Sequence, residues 1–137
     1  VTRHPVANCL SIFEQDFAGG HYYNNELDTL GERYLLYVDL MEHWKSIFAG
    51  DIVDVEYESV VSDPAGTAEY LNQRLDLDID LTGLQTAQSE GEIRTASRWQ
   101  ARQEIYTESV ERWRDIKDHL QPLIQVLAPI LDDEDLE

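Results

Sequence analysis

The sequence predicts a mainly α chain of four to five helices with one or two short strands. Three observations point that way. Apolar residues recur at spacings of three and four along much of the 137 residues. Proline and capping residues stand where those periodic stretches begin, at Pro5 and at Ser62-Asp63-Pro64. A single run, Asp51 to Tyr57, carries the β-branched enrichment of a strand.

Val1-Thr2 reads as the tail of a strand, and Arg3-His4-Pro5 as the turn into a helix. Pro5 fits a first turn because its missing N–H has no intrahelical partner there. Val6, Leu10, Phe13 and Phe17 then follow helical spacing, which predicts a helix over about 5–16 that Gly19-Gly20 ends. His21 to Asn24 is a loop. Leu27, Leu30, Tyr34, Tyr37, Met41, Trp44 and Phe48 form an a/d stripe about 22 residues long, the strongest periodic signal in the chain. Asn24 or Asn25 would cap that helix, Glu26 and Asp28 would sit in its positive first turn, and Gly50 would close it. The stripe suits a long core helix better than a coiled-coil partner helix.

Asp51 to Tyr57 is the predicted strand. Asp63 and Pro64 open a helix running to about Leu75. Residues 76–93 are polar and irregular, and a shorter helix is expected over about 97–107. Leu120, Leu123, Ile124, Leu127 and Leu131 mark a C-terminal helix that Pro129 should bend or end. Residues 1–131 are expected to form one domain, followed by an acidic tail, 132–137, with frayed ends. One strand alone leaves its backbone groups without a ladder, so the chain is either helical with one extended segment or completes its sheet with residues from elsewhere. That edge and the apolar helix faces favour self-association, and a homodimer is expected.

The formal net charge is −18, from 28 acidic residues against 10 basic ones. Nucleic acid is thereby excluded as a natural partner, since a phosphate backbone demands a basic face. An acidic, lysine-poor surface suits a dispersed soluble protein and also a salt-adapted one. No apolar run approaches 18 residues, so a membrane is not an expected partner. No charged segment followed by an apolar one resembles a signal peptide, and a cytoplasmic setting is expected. Cys9 is the one cysteine, which rules out an internal disulfide, and it falls on an apolar stretch where a small core residue belongs.

Arginine is the scarce resource, so its placement is informative. Arg3 stands where a strand-like end meets a helix start, and both a guanidinium and a helix N-terminus attract anions. Ser11 follows two turns on and offers a hydroxyl, so the pair would suit a phosphate monoester. Five of the eight arginines fall between Ile93 and Arg114. Thr95 and Ser97 add hydroxyls there, which makes a second anion-binding element. A surface helix whose arginines pair with Glu104, Glu108 and Glu111 explains that cluster equally well. The four histidines show no metal-ligand spacing, and no G-x-S-x-G, HExxH or GxxxxGK[ST] motif occurs. Tyr57 ends the predicted strand, where α/β proteins place ligand contacts.

In order along the chain stand RHPVANCLS, YLLYVDLMEHW, VDVEYESVVSDP, IRTASRWQARQEIY and SVERWRD. Together they resemble the C-terminal half of bacterial sulfotransferases related to tyrosylprotein sulfotransferases, over about residues 1–128. The resemblance implies the C-terminal part of a P-loop-type α/β fold and a donor, 3′-phosphoadenosine-5′-phosphosulfate, used to sulfate a hydroxyl acceptor without a metal. By the same resemblance, Arg3 and Ser11 hold the 3′-phosphate and Tyr57 lies by the nucleotide. Thr95, Ser97 and Arg102 belong to the loop that wraps the adenosine and its phosphate, and Arg112 reaches the cofactor from beside Trp113. Gln15 stands where some relatives carry a further basic residue. In the family, the 5′-phosphosulfate loop and the catalytic acid precede the RHP motif. The expectation is therefore a sulfotransferase fragment, inactive alone, that supplies the 3′-phosphate half of the site and binds the donor or 3′,5′-adenosine bisphosphate. A noncatalytic nucleotide-binding or helical interaction module is the alternative.

Overall fold

In the computed structural model of the chain, residues 1–15, 22–78 and 108–136 are described. Seven α-helices connected by short 3-10 turns make up these residues, so the mainly α expectation holds. The chain divides into two compact units, one of Val1–Thr2 with Val53–Thr107 and one of Arg3–Ile52 with Glu108–Glu137.

The larger unit is built on α1 (Pro5–Phe13), which starts on Pro5 as expected but ends three residues short of 16. Val6, Ala7, Cys9 and Leu10 make its buried face. Burial pushes the Cys9 thiol up to about 12, because the thiolate would be desolvated. Against α1 packs α2 (Leu27–Ile47), whose first half enters the core through Leu30 and Gly31. Gly31 is a spacing device. A Cβ at this position would lie 3.0 Å from Val126 Cγ1 and 3.2 Å from Leu123 Cδ1, so hydrogen alone lets α2 approach α6 (Gln121–Leu127) this closely. The remaining core side chains come from α5 (Glu108–Asp115), which buries Trp113, and from Leu120, Leu123, Ile124 and Leu127. Each such aliphatic side chain contributes about 1.5–3 kcal/mol by leaving water.

Three expectations for this unit need correction. Neither Asn24 nor Asn25 caps α2: Asn24 is buried, and Glu26 takes the cap position with an extended backbone and no capping bond from its side chain. Only the first half of the α2 stripe is core. Leu36 and Leu40 are more than half exposed, and Tyr37, Trp44, Ile47 and Phe48 line the exposed side with them. The acidic end is not frayed, for a short helix, α7 (Asp133–Leu136), turns Asp135 inward to 6% exposure. Pro129 behaves as expected: α6 stops at Leu127, and the proline continues in a 3-10 turn, Ala128–Ile130.

The smaller unit corrects the strand. Asp51 to Glu56 is an extended connection, and its pairing is one parallel bridge between Thr2 and Glu56. Thr2 N–H donates to the Val55 carbonyl and Tyr57 N–H to the Thr2 carbonyl, both at 2.8 Å. Two bonds fix the register but do not make a ladder, and the chain turns at once into α3 (Tyr57–Ser62). Tyr57 thus begins a helix instead of ending a strand. Asp63 then caps α4 (Pro64–Leu75) as expected, its Oδ1 accepting from Gly66 N–H at 2.9 Å. Val61 and Ala68 pack α3 against α4. The helix expected over 97–107 lies outside the described residues.

Candidate functional site

The corner at Arg3 is held from several sides within the larger unit. Tyr34 Oη, on α2, donates to the Arg3 carbonyl at 3.3 Å. His4 occupies the N-cap position of α1, yet its side chain makes no capping bond. Its ring instead stacks on Trp113, centroids 4.6 Å apart and planes within 10°. His4 Nε2 lies 3.0 Å from Asp135 Oδ2, and Nδ1 is buried. One ring nitrogen thus meets Asp135 and the other is enclosed.

Arg114 completes the buttress. Its Nη2 donates to Asp135 Oδ1 at 3.0 Å, its Nε to Glu111, and its guanidinium lies 4.4 Å from the Trp113 ring centroid. Burial alone would raise the Asp135 carboxyl. The hydrogen bond and charge of His4, and then those of Arg114, outweigh it and hold the group below the usual carboxylate range.

On α1 itself the first turn holds no acidic residue, and the carboxylate near its start is that of Asp135 on His4. Ser11 is exposed two turns on, and Glu14 follows it by three residues, which sets the two side chains on neighbouring positions of one helix face. Across from them on α5 stands Arg112. Its Nη1 donates to Glu14 Oε2 at 2.8 Å and its Nη2 to Glu14 Oε1 at 2.5 Å, a two-pronged fork. Both side chains remain open to solvent, 54% for Arg112 and 39% for Glu14.

Of the residues singled out in the sequence, Arg3, Ser11 and Arg112 border one helix in one unit, Arg3 before its first turn, Ser11 in its last turn and Arg112 on Glu14 at its C-cap. Tyr57 belongs to the other unit. Thr95, Ser97 and Arg102 lie outside the described residues. The sequence did not single out Glu14, which holds the Arg112 fork, or Asp135, which anchors His4 and Arg114. A guanidinium, a hydroxyl and a helix N-terminus are each groups that attract anions. Among the described residues no group of three or more His, Cys, Asp or Glu could hold a metal ion, and no helix is long and apolar enough to cross a membrane.

Comparison with known proteins adds two findings. A family model described as Sulfotransferase family matches residues 1–81, more than half of the chain. An uncharacterized protein of Aquifex aeolicus (strain VF5) is 28% identical over 128 residues, which are 91% of this chain and 17% of that relative. The chain thus spans about a sixth of the length of the curated relative that it matches. No solved structure matches it.

Proposed function

The chain belongs to the sulfotransferase family, and on that footing we propose that it carries the 3′-phosphate side of a site for 3′-phosphoadenosine-5′-phosphosulfate. The whole protein would transfer the sulfuryl group of that donor to a hydroxyl acceptor, as an enzyme akin to the tyrosylprotein sulfotransferases. The observation that supports this reading is that three of the expected groups border α1. Arg3 enters the helix, Ser11 lies two turns along it, and Arg112, more than a hundred residues away in sequence, reaches the same helix from α5.

A 3′-phosphate monoester is nearly doubly charged at neutral pH. A guanidinium fork matches its oxygens two at a time, and the Ser11 hydroxyl supplies a further donor. These groups separate a nucleotide with a 3′-phosphate from one without it. Sulfuryl transfer itself needs a deprotonated acceptor and a stabilised leaving phosphate, tasks for groups on the 5′ side of the donor.

Calorimetric titration of the chain tests the reading with 3′,5′-adenosine bisphosphate against adenosine 5′-monophosphate. The bisphosphate should bind more tightly, and Arg3→Ala should weaken it about 10- to 100-fold, the loss of one charge-assisted contact. Equal affinity for the two nucleotides, or an unchanged constant in the Arg3 variant, overturns it.

A further inference from the structure

The Arg112 fork already holds an anion. Glu14 presents both carboxylate oxygens to Nη1 and Nη2, in the two-pronged geometry that a phosphate would use. The carboxylate comes from the face of α1 that bears Ser11, one turn further along. The pair is solvent-open on both sides, so opening it requires no disruption of the core.

We propose that Glu14 is a built-in competitor for the nucleotide's 3′-phosphate, seated in the Arg112 fork until a dianionic phosphomonoester displaces it. The inference rests on the nucleotide-site reading above and deepens it by naming a residue that sets the cost of entry to the fork. A carboxylate carries one negative charge. A phosphomonoester carries nearly two and a third oxygen, so it can take the fork and leave Glu14 to water. A monoanionic phosphodiester brings no more charge than Glu14 and so exchanges with it at little gain. Displacing Glu14 costs every ligand of the fork the same, and the displaced carboxylate repels a dianion more than a monoanion. Glu14 therefore weakens binding of every anion that takes the fork.

An exposed ion pair of this kind is worth little in itself, which makes the competition measurable and keeps the fold intact when it is removed. Three ligands serve as probes at about pH 8: 3′,5′-adenosine bisphosphate, adenosine 3′-monophosphate and adenosine 2′,3′-cyclic phosphate, the last a monoanion. Glu14→Gln should bind the two monoesters about two- to fivefold more tightly than the parent chain does. Its gain for the cyclic ester should be no larger, because the displaced carboxylate repels a monoanion less than a dianion. Arg112→Gln should lose affinity, and Glu14→Gln placed on top of it should restore much less than it gains in the parent. Unchanged or weaker monoester binding in Glu14→Gln, with Arg112→Gln impaired, overturns the competitor role while the nucleotide reading stands. Absence of binding in the parent chain and in Glu14→Gln alike overturns that reading, and this inference with it.

Discussion

Asp135 stands among four consecutive acidic residues, Asp132 to Asp135, and only the fold tells them apart. It is buried at 6% exposure and meets both His4 and Arg114, so its charge is part of the native structure. Its carboxyl is held below the ordinary range, so the folded state binds that proton less readily than the unfolded chain does. The contribution to stability is complete above the unfolded value, about 3.9, and fades as pH falls through the lower folded value. Asp135→Asn should cost about 1–3 kcal/mol near neutral pH. Thermal melts followed by circular dichroism from about pH 5 to about pH 2 should show the parent converging on the variant once the pH falls below about 4. Parallel melting curves for the two proteins across that range contradict this role. At this scale the sequence was only partly legible. Arg3 and Ser11 stood out by their place relative to Pro5, and Cys9 by its apolar neighbours. The partners Glu14 and Asp135 did not, because an acidic residue in a chain with 28 of them carries no signal until a cation is seen beside it.

Helices whose signal is local could be read almost to the residue. Pro64–Leu75 appears with the predicted ends because Asp63 and Pro64 act on the turn that follows them. The long helix ends at Ile47, within three residues of Gly50, whose backbone adopts a positive φ of 94°. The strand misled because Ile52, Val53 and Val55 record partial burial, whereas a strand needs a partner of matching length and Thr2 supplies one residue. Gly31 was equally silent, since a glycine inside an apolar stripe adds nothing to its period. The contact it permits yields a prediction for the α2–α6 pair. Gly31→Ala should favour the helix by up to about 1 kcal/mol through propensity. The overlap with Val126 and Leu123 should cost about 1–3 kcal/mol, so packing wins and the melting temperature falls. Adding Val126→Ala should recover part of the loss. A Gly31 variant more stable than the parent means that the two helices can part without cost.

For the molecule as a whole, the exposed half of α2 is the feature that its own core leaves unexplained. Leu36, Tyr37, Leu40, Trp44, Ile47 and Phe48 form an apolar stripe over more than three turns. A helix stripe with this spacing is complementary to a copy of itself related by a two-fold axis, and the predicted homodimer would bury it there. Sedimentation equilibrium should then give twice the chain mass, and Leu40→Glu should return a monomer of unchanged helicity. A parent chain that stays monomeric refutes the dimer. The link between His4 and Asp135 has a different consequence, one of timing. The two residues are 131 positions apart. A ribosome adding about 5–20 residues per second needs on the order of ten seconds to proceed from one to the other. Throughout that interval the corner at His4 exists as sequence without its brace. The turn that locks it is α7, so a nascent chain cannot complete this corner before synthesis has reached Asp135.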